Sequence, residues 1–409
     1  MRNRVAITGL GVVTPFGRGV TNNWAQAIQG KCGIRKLSTV DATGLRVQYG
    51  GEIPEQDMAT LSSSIDSSRM DRSVLLAIDA AHEALKAAGL GVQETGTTGV
   101  VVGTGFGTIQ TKERHFLQAA NDDRAISPLI VLQGMDNAAA SEIAIRFGLK
   151  GINQTLFTAC SSGAMAIGTA YRLIVQGYET RLLAGGVDTP ITRLMIKAWD
   201  KLHLISRGRQ WDQCSLPFGR NRNGFTIAEG AGFLVLENLT SARSRGAVIY
   251  AELAGFSANC DAQHLSTPDA NTQANVVRSA LDDAKIASDQ VQYINAHGTA
   301  TTVNDQVETQ AIKWAFGAKA VGIPISATKS QIGHTMGASG AIEAIFTVLM
   351  MRSGCLLPTI HFQSGDPLCD LDYVPNQVRK VGPIQFALKT AFGFGGNNVA
   401  LVLRNADLQ

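Results

Sequence analysis

The chain reads as an α/β fold assembled from two like halves, and three observations lead there. Short apolar runs that end near glycine alternate with longer amphipathic stretches, the pattern of strand–helix–strand units. The second half repeats the element order of the first. And 409 residues, 45% hydrophobic, 17% charged and with 43 Gly, suffice for one large duplicated core or two domains. The expected division is 1–250 and 251–409. Such a chain would stack two parallel-rich sheets with helices between and outside them.

Residues 5–9 read as a buried strand, with Gly9-Leu10-Gly11 as its turn. That turn is no dinucleotide fingerprint, because Thr14 stands where the last glycine of G-x-G-x-x-G belongs; residues 103–107 fail the same test. The sequence is loop-like through the Ser62-Ser63-Ser64 cluster. Residues 69–89 then predict a helix with Val74, Ile78, Ala81 and Leu85 on one face and Gly89 as its stop. Residues 100–102 predict a buried strand, 138–147 a helix and 181–186 a strand ending in a glycine turn. Between these last two, a short apolar run reaches Cys160. Small residues then open a helix that is apolar almost all round, hence buried. The second half follows the same order. A helix over 273–284 and a strand over 291–295 match 69–103. Residues 325–329 lead into a glycine- and alanine-rich helix ending near Met351, the counterpart of the Cys160 segment. Strands at 386–392 and 399–403 flank a glycine turn.

Composition excludes several classes. The net charge is +3 without a long basic run, so nucleic acid is not an expected partner. The six cysteines are scattered with no C-x-x-C, which argues against a zinc ribbon or a disulfide framework and fits a reducing compartment. No signal peptide precedes the first strand, and the apolar stretch 338–351 is too short to span a membrane and carries Glu343. A cytoplasmic protein without membrane span is expected.

The chemistry concentrates in four stretches. Cys160 stands at a strand-to-helix turn, where free N–H groups and the helix dipole would lower its pKa. His297, followed by Gly298 at a strand end, has Thr299 and Thr301 placed to offer two hydroxyls on one side. Lys329 and His334 run into the helix holding Glu343. There the dipole keeps His334 neutral, and Lys329 is the nearest cation for the buried Glu343. The turn at 392–398 can aim a backbone N–H at a reacting oxygen. A metal site from His297 and His334 lacks the H-x-x-x-H or clustered carboxylate spacing it would need.

These four stretches, Thr158-Ala159-Cys160-Ser161-Ser162-Gly163, Asn295-Ala296-His297-Gly298-Thr299-Ala300-Thr301, Lys329-Ser330-Gln331-Ile332-Gly333-His334-Thr335 and Gly393-Phe394-Gly395-Gly396-Asn397-Asn398, give the whole chain its resemblance to a family. It resembles the elongating, Cys-His-His group of β-ketoacyl-acyl-carrier-protein synthases. The resemblance implies the thiolase fold, with duplicated halves in a five-layer α-β-α-β-α arrangement. It implies a decarboxylative condensation between an acyl group on Cys160 and a malonyl carrier protein. The N–H groups of Cys160 and Phe394 would form an oxyanion hole, and His297 and His334 would stabilise an enolate. Lys329 and Glu343 would set the electrostatics, and Phe394 would gate the two half-reactions. Thr299 and Thr301 would contact the pantetheine arm, as would the loop of His264, Ser266 and Thr267. Phe392, Asn397 and Phe106 fall among the substrate-side positions. Asn397 replaces the threonine usual in fatty-acid members, and Phe106 is expected to shorten or bend the acyl pocket. Arg69, Arg124 and Arg207 are candidates for the face that meets the acyl carrier protein. No metal or cofactor is implied beyond phosphopantetheine on the carrier. The family implies a dimer, homo- or heterodimeric, with residues near Leu129 and Ile130 entering the neighbour's pocket. Residues 216–225 resemble a stretch common in polyketide members, with Gly219 in place of Asp, which leans towards a polyketide or polyene pathway over fatty-acid elongation. A non-catalytic chain-length partner subunit, which would lack the nucleophile, and a cysteine acyl hydrolase are the rival readings.

Overall fold

The computed structural model describes residues 2–64, 70–122, 124 and 127–408. Ten principal strands follow in chain order: β1 Val5–Thr14, β2 Gly99–Gly103, β3 Asn153–Leu156, β4 Arg181–Asp188, β5 Gly230–Asn238, β6 Ala251–Cys260, β7 Tyr293–Asn295, β8 Ile325–Ser326, β9 Phe386–Gly393 and β10 Asn397–Arg404. Their spatial order is β8-β7-β9-β10-β6-β1-β5-β4-β2-β3. Split at the β6–β1 junction, the halves have one topology: β3-β2-β4-β5-β1 becomes β8-β7-β9-β10-β6 when five is added to each number. The pairing senses agree as well. β2 is parallel to β3 and β4, as β7 is to β8 and β9. β5 is antiparallel to β4 and β1, as β10 is to β9 and β6. Half the pairings within each half are therefore antiparallel, where parallel-rich sheets were expected. The halves also join edge to edge, through Val5–Ile7 against Leu253–Ala251.

Six helices complete the layers: α1 Arg72–Ala88, α2 Ala138–Phe147, α3 Ser162–Val175, α4 Ala270–Ala284, α5 Thr302–Phe316 and α6 Ser339–Ser353. Three apolar cores alternate with the two sheet halves. The middle core gathers α3 and α6, one outer core gathers α1 and α2, and the other α4 and α5. This is the five-layer thiolase fold. α1 begins where Asp71 accepts the Ser73 N–H at 2.8 Å, and it ends at Gly89 with φ +61°.

Two expectations fail for a common reason. Gly9 and Gly11 do not turn the chain but lie inside β1, because a Cβ there would stand 2.1 Å from Ala84 O and 1.9 Å from Ala80 O of α1. Gly255 of β6 repeats the device, with Ala280 O of α4 at 2.4 Å. Gly185 and Gly186 are likewise interior to β4. Gly9, Gly11 and Gly255 mark close helix–sheet approach, and at Gly185 the close neighbour is Gly232 O of β5, at 2.0 Å; a local reading takes such glycines for turns. The stretch read as loop up to Ser64 contains the helices Val20–Ala27, only eight residues long, and Glu55–Ser64, too weakly patterned to stand out.

Candidate active site

Cys160 lies in the single turn Ala159–Ser161 between β3 and α3. Ala159 takes φ +52°, a conformation costing an ordinary residue about 1–3 kcal/mol, so the surroundings must hold it. Ser162 Oγ does much of this. It accepts the Thr158 N–H at 2.9 Å and lies within bonding distance of Thr104 O and Ala159 O, at 3.0 and 2.7 Å. The serines flanking the nucleophile thus pin the turn as well as leaving room beside it. The N–H groups of Cys160 and Phe394 both reach the sulfur. Phe394 gets there because residue 393 is glycine: a Cβ would fall 2.3 Å from Thr158 O.

The thiol is not acidified by its place. Burial pushes Cys160 up to about 12, against the pull of the Lys329 ammonium, so the helix-start effect expected from sequence is outweighed by desolvation. The sulfur is a neutral thiol that must shed its proton as it attacks.

His297 follows β7, and His334 follows the short helix Lys329–Ile332. Their rings stand 5.5 Å apart, close to perpendicular. The Lys329 ammonium donates to His297 O at 2.7 Å and lies 3.5 Å from Nδ1. The Met336 N–H reaches His334 Nδ1 at 3.3 Å, with Ser339 Oγ at 2.9 Å. An ammonium and an amide N–H can only donate, so both Nδ1 atoms accept and both ring protons sit on Nε2. Burial above all, then the Lys329 charge, holds both imidazoles well below the usual 6.5. Each is a neutral N–H donor. Gly298 is obligatory here, with φ +44° and a hypothetical Cβ 2.5 Å from that of Ala327.

Glu343 lies on α6 and joins two lysines. Lys329 Nζ is 2.6 Å from Oε1 and Lys389 Nζ 2.8 Å from Oε2, all three groups being buried. Burial lowers the Lys389 pKa while Glu343 pulls it back up. Glu308, on α5, accepts the N–H groups of His297 and Gly298 at 2.7 and 2.8 Å and the Thr390 hydroxyl at 2.9 Å. Sequence reasoning missed Lys389, although a lysine inside the apolar run of β9 was a signal. It also missed Asp188, at the end of β4. That carboxylate takes the Thr104 hydroxyl and the N–H groups of Gly105, Phe106 and Gly337, and burial pushes it up to about 6.

The remaining candidates divide. Thr299 and Thr301 hydroxyls are 2.9 Å apart, on one side as expected. Phe392 packs 5.8 Å from His297, and Asn397 Nδ2 donates to Phe394 O at 2.9 Å. His264 Nδ1 accepts the Ser266 N–H at 3.1 Å and lies 3.2 Å from the Thr267 hydroxyl. That loop reaches the site through Leu265 O, which takes the Gly395 N–H at 2.7 Å. Phe106 packs edge-on to Trp199 in the apolar group that includes Cys160. Arg124 pairs with Asp122 and Arg207 with Asp200. Arg69 lies outside the described residues.

Comparison with known proteins fits this constellation. Residues 2–242 match the family described as "Beta-ketoacyl synthase, N-terminal domain" and residues 250–363 its C-terminal domain. The chain belongs to the beta-ketoacyl synthase family. It is 38% identical over 409 residues to "3-oxoacyl-[acyl-carrier-protein] synthase 2" of Synechocystis sp., covering 98% of each chain. It is 38% identical to the synthase of the same name from Staphylococcus aureus, covering 99% of each. Among solved structures, a ketosynthase bound to a hexaketide and in complex with its type II PKS acyl-carrier protein superposes with TM-score 0.92 at 33% identity over 100% of both chains. The ishigamide ketosynthase/chain length factor gives 0.93 at 31% identity, covering 99% of this chain and 100% of that one. Beta-ketoacyl synthases are condensing acyltransferases. Among the described residues, no group of three or more His, Cys, Asp or Glu could hold a metal ion, and no helix is long and apolar enough to cross a membrane.

Proposed function

We propose that this synthase condenses a malonyl group on an acyl carrier protein with an acyl group held on Cys160. Cys160 Sγ attacks the incoming thioester carbonyl, and the carrier's thiol leaves with the proton. The N–H groups of Cys160 and Phe394 receive the oxyanion. The malonyl carrier then enters and loses CO₂, its electron pair passing into an enolate whose oxygen takes hydrogen bonds from His297 and His334. The enolate carbon attacks the acyl-cysteine carbonyl and the S–C bond breaks. The sulfur regains a proton, and a 3-ketoacyl carrier two carbons longer departs. The observation that carries this reading is the pair of neutral imidazoles, each with Nε2–H free to donate and Nδ1 already engaged. Lys329, Glu343 and Lys389 fix the charge beneath them.

The electron and proton balance closes without a metal or redox group. Thr299, Thr301 and the His264–Thr267 loop are read as the pantetheine side, and Phe394, 37% exposed, as the gate. Two thiolase-like halves, 1–250 with the nucleophile and 251–409 with both histidines, share the work. A second ketosynthase-like chain is read as covering the face that exposes Leu129, Val131, Leu132 and Met135. The free state of the six cysteines supports a cytoplasmic setting, and the likeness to the hexaketide and ishigamide enzymes supports a polyketide or polyene pathway. The test is mass spectrometry of carrier-bound products after mixing the enzyme with malonyl carrier and a series of acyl carriers. A 3-keto product extended by two carbons is expected, with acyl-Cys160 as intermediate and none in Cys160→Ala. Free acid as the sole product would instead mark a hydrolase.

A further inference from the structure

Trp199 sits on the helix Arg193–Lys201, buried there together with Ile196. Three aromatic rings surround its indole: Phe225 at 5.2 Å, Phe394 at 5.7 Å and Phe106 at 6.4 Å between centroids. Phe394 carries one of the N–H groups at the Cys160 sulfur, and Phe225 packs 5.5 Å from His334. Trp199 therefore belongs to the apolar lining shared by the nucleophile and the enolate site. Within that lining its Nε1–H is buried and has no acceptor among the described residues. A buried donor left unmade is costly, and a buried tryptophan N–H usually finds a partner.

Two more buried hydroxyls are unmatched among the described residues, both near Phe106 along the chain or through Asp188. Thr108 stands two residues beyond Phe106, and Thr189 follows Asp188, whose carboxylate takes the Phe106 N–H at 3.0 Å. Both threonine hydroxyls are buried without a partner among the described residues. A pocket shaped for plain hydrocarbon would present carbon where the Trp199 N–H stands.

Resting on the condensing function above, we propose that Trp199 is a specificity-determining residue whose indole N–H donates to an oxygen carried along the acyl chain. The enzyme then prefers keto- or hydroxy-bearing acyl groups to saturated ones of equal length. The acyl carbonyl itself is engaged by the N–H groups of Cys160 and Phe394, so the acceptor for Trp199 belongs further along the chain. An oxygenated chain satisfies the donor; a saturated one seals it in unpaired. One such hydrogen bond is worth about tenfold in acylation rate.

The test loads Cys160 from acyl carriers of one chain length, saturated or bearing an oxo group at carbon 3, 5 or 7, followed by intact-protein mass spectrometry. The wild type should load at least one oxo chain about tenfold faster than the saturated chain. Trp199→Phe, which keeps a ring and removes the N–H, should bring that ratio close to one. A ratio taken within one preparation does not depend on how much of the variant is folded. A wild-type ratio near one at all three positions overturns the proposal, as does a preference that survives Trp199→Phe. If no chain acylates Cys160 at all, the condensing function falls, and this inference with it.

Discussion

At the end of β3 the first half turns into its central helix through Ala159–Ser161, and at the matching point after β8 the second half turns through Lys329–Ile332 before entering α6. The first turn is held by uncharged groups, the Ser161 and Ser162 hydroxyls, and by backbone brought close at Gly393. The second is held by buried charge, with Lys329 and Lys389 sharing Glu343. The two helix starts then meet at small residues: a Cβ on Gly163 would stand 3.1 Å from Ala341 N, and one on Gly340 2.6 Å from Ala164 N. Duplication thus supplied two equivalent turns side by side. What differs is how each is fastened, and each fastening suits its chemistry. A sulfur that must admit a carbonyl needs space. Imidazoles that must stay neutral need positive charge nearby.

The largest effect should come from loosening the charged half. Glu343→Gln leaves two buried ammonium groups facing an amide, and a loss of about 3–5 kcal/mol in chemical denaturation is expected. The double variant Glu343→Gln/Lys389→Met should recover part of it. A single-variant loss below about 1 kcal/mol would show that these charges do not fasten the turn. Next comes the uncharged half. Gly163→Val forces a branched side chain against Gly337 O and Ala341, and about 1–3 kcal/mol of destabilisation is expected in the same assay. Stability equal to wild type would show that the helix starts can part.

The smallest effect is one of pH. Because burial and Lys329 hold His297 and His334 well below 6.5, neither takes up a proton as pH falls from 8 to 6.5. Decarboxylation of malonyl carrier should therefore stay flat across that window and fall only at lower pH, where imidazolium would form against the lysines. Half-loss at 6.5 would mean that the rings titrate as in water.

Much of this was legible in the chain. The motifs around Cys160, His297, His334 and Phe394 carry the chemistry in their residue types, and a repeated order of apolar runs is enough to propose duplication. Other features were hidden because a local reading sees neighbours in sequence only. Gly9 and Gly11 look like a turn until α1 is laid over them. Lys389 looks misplaced until Glu343 arrives from 46 positions away on another helix. Asp188 gathers its donors from two separate stretches, 104–106 and Gly337.

Sequence alone determined the reacting side chains and part of the strand and helix succession, though not β5, β6 or α5, since these follow from local pattern and residue chemistry. Tertiary structure decided their charge states and the partners of Trp199. The Cys160 thiol is high and the two imidazoles low because desolvation depends on everything packed around a group, and that is set by the fold.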